Sequence, residues 1–235
     1  MDTGKDSNNR KEVFVGDLYL LSLSWRANFC CLQKKPDAKG KKEQCRVDWK
    51  GPKDGLVLHG LWPSFDDGSY PQYCLSHASP KDTDTSTLSG LQRHQWVKHG
   101  SCTKLSISQY FRESQRLFSS EIIKDLDNYL LSSAGGTVPT AQLLQRSRGG
   151  FADPNPNRGD FAISVTPYCQ LKELTLCFEK KEGSDDVGEQ IPCPPHIMNG
   201  ERNNGAKKCK QLIVDESDKC QFITKSLQQV LRRDA

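Results

Sequence analysis

The apolar positions fall into short blocks separated by long polar stretches. Residues 14–25, FVGDLYLLSLSW, are dense in aromatic and aliphatic side chains and short enough for a buried strand. A second apolar run at 56–61 sets His59 on a strand of the sheet core, and Pro63 is expected to end its regular pairing. Asp66-Asp67-Gly68-Ser69 reads as a turn. Residues 76–90, SHASPKDTDTSTLSG, have almost nothing to bury and predict an exposed, mobile loop.

Helical spacing follows. Ser106 or Ser108 is placed to cap a helix over 107–118, although Ile107, Tyr110, Phe111, Leu117 and Phe118 fit its stripe only approximately. A second helix is expected within 121–131, before Gly135-Gly136, and Thr140 is a candidate cap for a short helix to Arg146. Residues 149–160 hold three Gly-or-Pro clusters and predict loop. Strands are expected at 161–165, 173–179 and 211–214, with turn signals at Asn199-Gly200 and Asn204-Gly205 and a terminal amphipathic helix over 221–233. No internal repeat or domain boundary stands out. Strands and helices without βαβ alternation imply an α+β fold.

Length and cysteine usage narrow the class. A chain of 235 residues suits one domain able to bury a substantial core, while 35% hydrophobic content leaves much loop and polar surface. Ten cysteines without a C-x-x-C pair argue against a zinc ribbon or a redox motif, and their even number points to disulfides and an oxidising compartment. Cys193-Pro194-Pro195-His196 has metal-ligand types but no second matching pair, so no metal or other cofactor is expected.

No stretch approaches the roughly 20 apolar residues that span a bilayer. Residues 1–12 are polar and charged, without the apolar region of a signal peptide, and read as a flexible segment ahead of a domain over 13–235. The chain is therefore read as a mature form, with Met1 added for expression. No N-glycosylation sequon occurs. The net charge of +4 suits an anionic substrate only weakly. Five lysines within residues 34–42 read first as a solvated loop and second as a phosphate-tracking surface.

Candidate chemistry concentrates in two segments, Leu58-His59-Gly60-Leu61-Trp62-Pro63 and His94-Gln95-Trp96-Val97-Lys98-His99-Gly100-Ser101-Cys102. A pair of imidazoles can divide proton removal and donation near neutral pH. RNA carries its own nucleophile, the 2′-hydroxyl. Its cleavage needs a base, an acid and cationic stabilisation of the phosphorane. Two histidines and a lysine meet that list without a metal. One short helix can present His94, Lys98 and His99 to a shared cleft, since 94 and 98 share a face and 99 lies about 100° from 98.

Together these segments resemble the two active-site segments of the T2 family of acid ribonucleases. The resemblance extends over about residues 17–214 and includes Leu23-Ser24-Trp25 leading to Cys30. It implies a single disulfide-rich α+β domain with a central antiparallel sheet and flanking helices. It also implies a monomeric endoribonuclease that acts on single-stranded RNA through a 2′,3′-cyclic phosphate, in the secretory pathway, outside the cell or in a vacuole or lysosome. A bacterial periplasm is the alternative location. By position, His99 is the implied general base, His59 the acid, Lys98 the phosphorane stabiliser and His94 a phosphate holder. Base and acid exchange in the hydrolysis step. Trp62 and Tyr70 stand where the family stacks a base, core packing being the other reading of both. The layout further implies disulfides Cys74–Cys102, Cys169–Cys209, Cys177–Cys193 and Cys30–Cys45. Cys31 and Cys220 then pair with each other, or Cys31 replaces Cys30.

The chain departs from the family at several points. Gln95 replaces the usual Glu, removing a charge whose loss typically costs about 10²–10³-fold if an oxyanion-hole donor is the comparator. Val97 is apolar where a charge is common. Ser64 replaces an Asp that helps recognise a purine, which puts adenine preference in doubt. The interval from Cys74 to His94 is short. Two functions stay open: a ribonuclease slowed at Gln95, and a catalytically weakened relative serving in storage, defence or binding.

Overall fold

The structure is a computed structural model, and it describes residues 16–32, 55–78, 80–146, 161–181, 186–199 and 208–216. The N-terminal segment 1–12, the lysine-rich run, the loop at 149–160, the Asn-Gly turns and the terminal helix lie wholly or partly outside those residues. So do Cys45 and Cys220.

Strand β1 (Leu18–Trp25) is buried at every position because both faces are covered. Tyr19, Leu21, Leu23 and Trp25 join the main core, while Leu18 and Leu20 join a smaller cluster with Trp62 and Ile197. Period-two alternation thus sorts one strand between two cores. A strand with both faces covered reads as a near-continuous apolar run, as 14–25 does. The strand starts at Leu18, and residues 14–15 fall outside the description.

Strand β2 (Leu56–Ser64) pairs antiparallel with β1 on one side, and β5 (Leu171–Lys180) pairs antiparallel with it on the other. The far edge of β5 takes β4 (Phe161–Val165) along one half and β6 (Val187–Ile191) along the other. The sheet order is therefore β2-β1-β5-β4, with β6 also on β5. A two-stranded sheet joins β3 (Gly136–Pro139) to β7 (Gln211–Val214). It is tied to β1 by the Trp25 indole, which donates to the Asp215 carbonyl at 2.8 Å.

Leu23-Ser24-Trp25 is the end of strand β1, and helix α1 (Arg26–Leu32) follows it directly and carries Cys30. Helices α2 (Gly90–Lys98), α3 (Ile107–Phe118) and α4 (Glu121–Leu131) come next. Tyr110, Ser114 and Leu117 bury one face of α3, and Ile123, Leu126 and Leu130 do the same for α4. Ser106 caps α3 in a reciprocal box with Gln109. Helix α5 (Thr140–Arg146) begins at Thr140, but the Thr140 hydroxyl donates to the Cys209 carbonyl and does not cap the helix. Helix α6 (Pro195–Asn199) closes the side nearest β4. No helix of the described residues is long and apolar enough to cross a membrane.

Pro63 does not end the pairing of β2: it stands opposite Tyr19, and the ladder runs on to Ser64. Among the described strands β2 pairs only with β1, so it lies at an edge, where a missing N–H costs no ladder bond. The polar segment 76–90 is exposed at most of its described positions, as expected, yet it is fastened to the fold. Asp82 is buried, its carbonyl accepts from the Trp96 indole at 2.9 Å, and its carboxylate accepts from Ile107 N–H at 2.9 Å. One acidic residue thus anchors a stretch whose hydropathy alone predicted nothing to hold it.

The predicted pairs Cys74–Cys102, Cys169–Cys209 and Cys177–Cys193 are all formed. Cys30 is also disulfide-bonded. Cys193 is therefore sulfur-linked and not available as a metal ligand.

The start of β2 is pinned by Asp127 of α4, whose carboxylate accepts from Leu56 N–H at 2.6 Å. Burial pushes the Asp127 carboxyl above its ordinary value, against the opposing effect of that hydrogen bond. A raised folded-state value means the native state keeps a proton that the unfolded chain has already lost. The associated stability is complete below the unfolded value and is lost as pH rises through the folded one. Asp127→Asn keeps an acceptor without titrating. The variant is expected to gain stability relative to wild type as pH rises from about 3 to about 7 through the carboxylate range. Urea unfolding at both pH values checks this, and a pH-independent difference would contradict it.

Candidate active site

The first histidine owes its position to a bulge. Ser22 pairs with Gly60 and Leu23 with Leu58, so His59 is an extra residue on β2. Such an insertion re-aims a side chain. His59 meets Glu173 and Trp62, the latter on the face of the smaller cluster. Its Nδ1 lies 2.5 Å from Glu173 Oε1.

The second segment is divided between a helix and its end. His94, Gln95 and Lys98 lie on α2, and His99 is the residue that caps it, with φ −119° and ψ −55°. His94 is exposed, Lys98 is half-buried, and Gln95 and His99 are buried. One helix therefore carries the segment, with His99 just past its last turn. Two links hold that end: Tyr73 N–H donates to the Lys98 carbonyl at 3.0 Å, and Cys102 is bonded to Cys74. Gly100 is required here, because any Cβ would collide with the Trp96 ring.

Trp62 joins the two segments. Its ring lies 5.1 Å from that of His59 in an edge-on contact and 5.1 Å from that of His99, stacked at 28°. The Trp62 indole N–H donates to the Gln95 side-chain carbonyl at 2.8 Å. The Gln95 amide nitrogen is buried with no hydrogen-bond partner among the described residues. Gly60 makes this close approach possible, since a Cβ there would collide with both Gln95 and Trp62. His94 stands further out, its ring 6.4 Å from that of His99. Beneath the segment, the Tyr110 hydroxyl donates to the Leu61 carbonyl at 2.6 Å, and burial holds that phenol well above its ordinary range.

A pocket of about 70 Å³ opens beside His99, lined by Trp62, Ser64 and Tyr70 and closed below by Leu20 and Ile197. Tyr70 is 48% exposed, so it forms the rim and is not packed in the core. Ser64 is buried and donates to the Ser69 carbonyl at 3.2 Å, closing the 65–69 turn that leads to Tyr70. Val97 packs against the main core, which explains an apolar residue at that position.

The fold thus brings His59, Trp62, Gln95 and His99 into one contact group, with Tyr70 on its rim and His94 beyond. Lys98 shares the helix and the disulfide-held corner. Sequence reasoning missed Glu173, which the fold carries in from two strands away. No local signal marked it, because Glu173 shares its strand with Lys172, Glu179 and Lys180 and only the strand register singles it out.

Comparison with known proteins bears on the family and the fold. The sequence model of the Ribonuclease T2 family matches residues 16–148. A ribonuclease of Aeromonas hydrophila is 34% identical over 181 residues, covering 73% of this chain and 75% of its own. The intracellular ribonuclease LX of Solanum lycopersicum is 25% identical over 201 residues, covering 77% of this chain and 79% of its own. Among solved structures, the S-like ribonuclease trichomaglin superposes with a TM-score of 0.51 at 17% identity, over 85% of this chain and 98% of that one. RNase NT in complex with 5′-AMP gives 0.50 at 19% identity, over 77% and 98%. At such identities the superpositions speak for the fold alone. The sequence match spans both histidine segments and more than half of the chain, which therefore belongs to the ribonuclease T2 family.

Proposed function

We propose that the protein is an endoribonuclease that cleaves single-stranded RNA through a 2′,3′-cyclic phosphate, using two histidines and no metal. The observation that carries this reading is the contact of both His59 and His99 with the one Trp62 ring. His99 takes the 2′-hydroxyl proton, His59 protonates the departing 5′-oxygen, and the roles reverse in hydrolysis of the cyclic product. Lys98 stabilises the phosphorane charge, and His94, at the exposed margin, holds a phosphate. A base enters the pocket between Trp62 and Tyr70, where stacking tolerates any base. Ser64 is engaged with the turn and supplies no acidic group to that pocket. The enzyme acts as a monomer without a protein partner, and its disulfides suit a secreted, vacuolar or periplasmic setting.

Digestion of single-stranded RNA in the presence of EDTA tests the reading directly. Cleavage is expected to persist and to leave cyclic phosphate ends. His59→Phe and His99→Phe are expected to lose activity by about 10²–10⁴-fold, the usual contribution of general acid–base catalysis. Loss of cleavage on chelation, equal cleavage of DNA, or both histidine variants retaining more than about a tenth of the rate would overturn it.

A second reading is favoured by one observation. Gln95 keeps Trp62 in place through its carbonyl but leaves a buried amide nitrogen without a partner among the described residues and brings no charge. A weakened enzyme retained for storage, defence or binding fits that state. Gln95→Glu preserves the acceptor for Trp62 and restores the carboxylate. The cleavage rate is expected to rise at least about 10-fold, within the range that one active-site electrostatic partner supplies. An unchanged or lower rate on the same RNA would favour the binding protein.

A further inference from the structure

The contact between His59 Nδ1 and Glu173 Oε1, at 2.5 Å, does not join neighbouring strands. β1 runs between them. Three local features make the span possible. Ser22 faces Gly60 on one side and Thr175 on the other, while Ser24 faces Glu173. Both serines are short and buried, so the middle strand presents little bulk beneath the bridge. The bulge then supplies His59 as an additional residue reaching across. The side chains are 37% exposed for His59 and 18% for Glu173, so the pair is shielded without being sealed off.

An imidazole has two inequivalent nitrogens, and the partner of one decides the role of the other. A carboxylate accepts a hydrogen bond and has none to give, so Nδ1 facing Glu173 carries a proton in the neutral ring. Nε2 is then an acceptor in the neutral ring and a donor in the protonated one. We propose that Glu173 is a positioning residue, holding His59 in the Nδ1–H tautomer with Nε2 turned to the scissile phosphate group. The proposal rests on the reading of His59 as a proton-transfer group. An ion pair that merely fastens β2 over β1 would change stability, but it would leave the chemical step and the ring tautomer alone.

Two measurements on the full chain test this. Steady-state cleavage of single-stranded RNA by Glu173→Ala is expected to show kcat lowered by about 10–100-fold, taking as comparator the loss of a partner that orients a metal-bound imidazole. KM is expected to stay within about twofold, since Glu173 touches the histidine and not the substrate. ¹⁵N NMR of the histidine rings is expected to show His59 as the Nδ1–H tautomer in wild type and to lose that preference in the variant. Glu173→Gln, a near-isostere, carries the test if the alanine variant does not fold. It is expected to lose less kcat and to give mixed tautomers, because its amide can present either oxygen or nitrogen. A kcat within twofold of wild type, a change confined to KM, or a His59 tautomer indifferent to Glu173 would overturn the proposal. Wild-type protein that fails to cleave RNA would overturn the function itself, and the NMR result separates the two failures.

Discussion

Pairing of β2 against β1 is the constraint on which the rest of this structure depends. β1 is buried along its whole length, so its register fixes both neighbours. With side chains alternating at a period of two, a slip of one residue would send every group of β2 to the opposite face. The ladder instead absorbs one extra residue, and that residue is His59. Trp62 then lands on the face of the smaller cluster, where it can meet both histidines. The site is thus a consequence of strand register on one side. On the other side it follows from the disulfide-held end of α2.

The departures from the family pattern have local physical reasons. Val97 is partly buried and packs against the main core, where an apolar side chain is favoured. Ser64 is enclosed and spends its hydroxyl on the turn that sets Tyr70 at the pocket rim. Gln95 accepts from the Trp62 indole through its carbonyl and carries no charge. Glu173, on a different strand, brings a carboxylate against His59.

Much of the fold was legible because its signals are local. The bounds of α3, α4, β4 and β7 follow from caps, turn residues and apolar runs that need no distant partner. The two histidine segments were legible for a different reason, since their residue types and spacing carry the chemistry directly. What escaped depends on contacts far apart in sequence. Pro63 continues a strand because β2 lies at an edge, and Asp82 anchors a polar loop because Trp96 and Ile107 come to it. Thr140 turns from its helix to a carbonyl near β7. Glu173 reaches His59 only once three strands are in register. Apolar periodicity is blind to each of these.

The central claim is that His59 and His99 flank one RNA-binding cleft built around Trp62. The most direct measurement is an NMR titration with an uncleavable 2′-deoxydinucleotide, following the ring protons of the five histidines. The account predicts that His59 and His99 shift together along one binding curve, with the Trp62 indole N–H moving on the same curve. A dinucleotide that binds while the two rings respond at different concentrations, or while either stays silent, would contradict it.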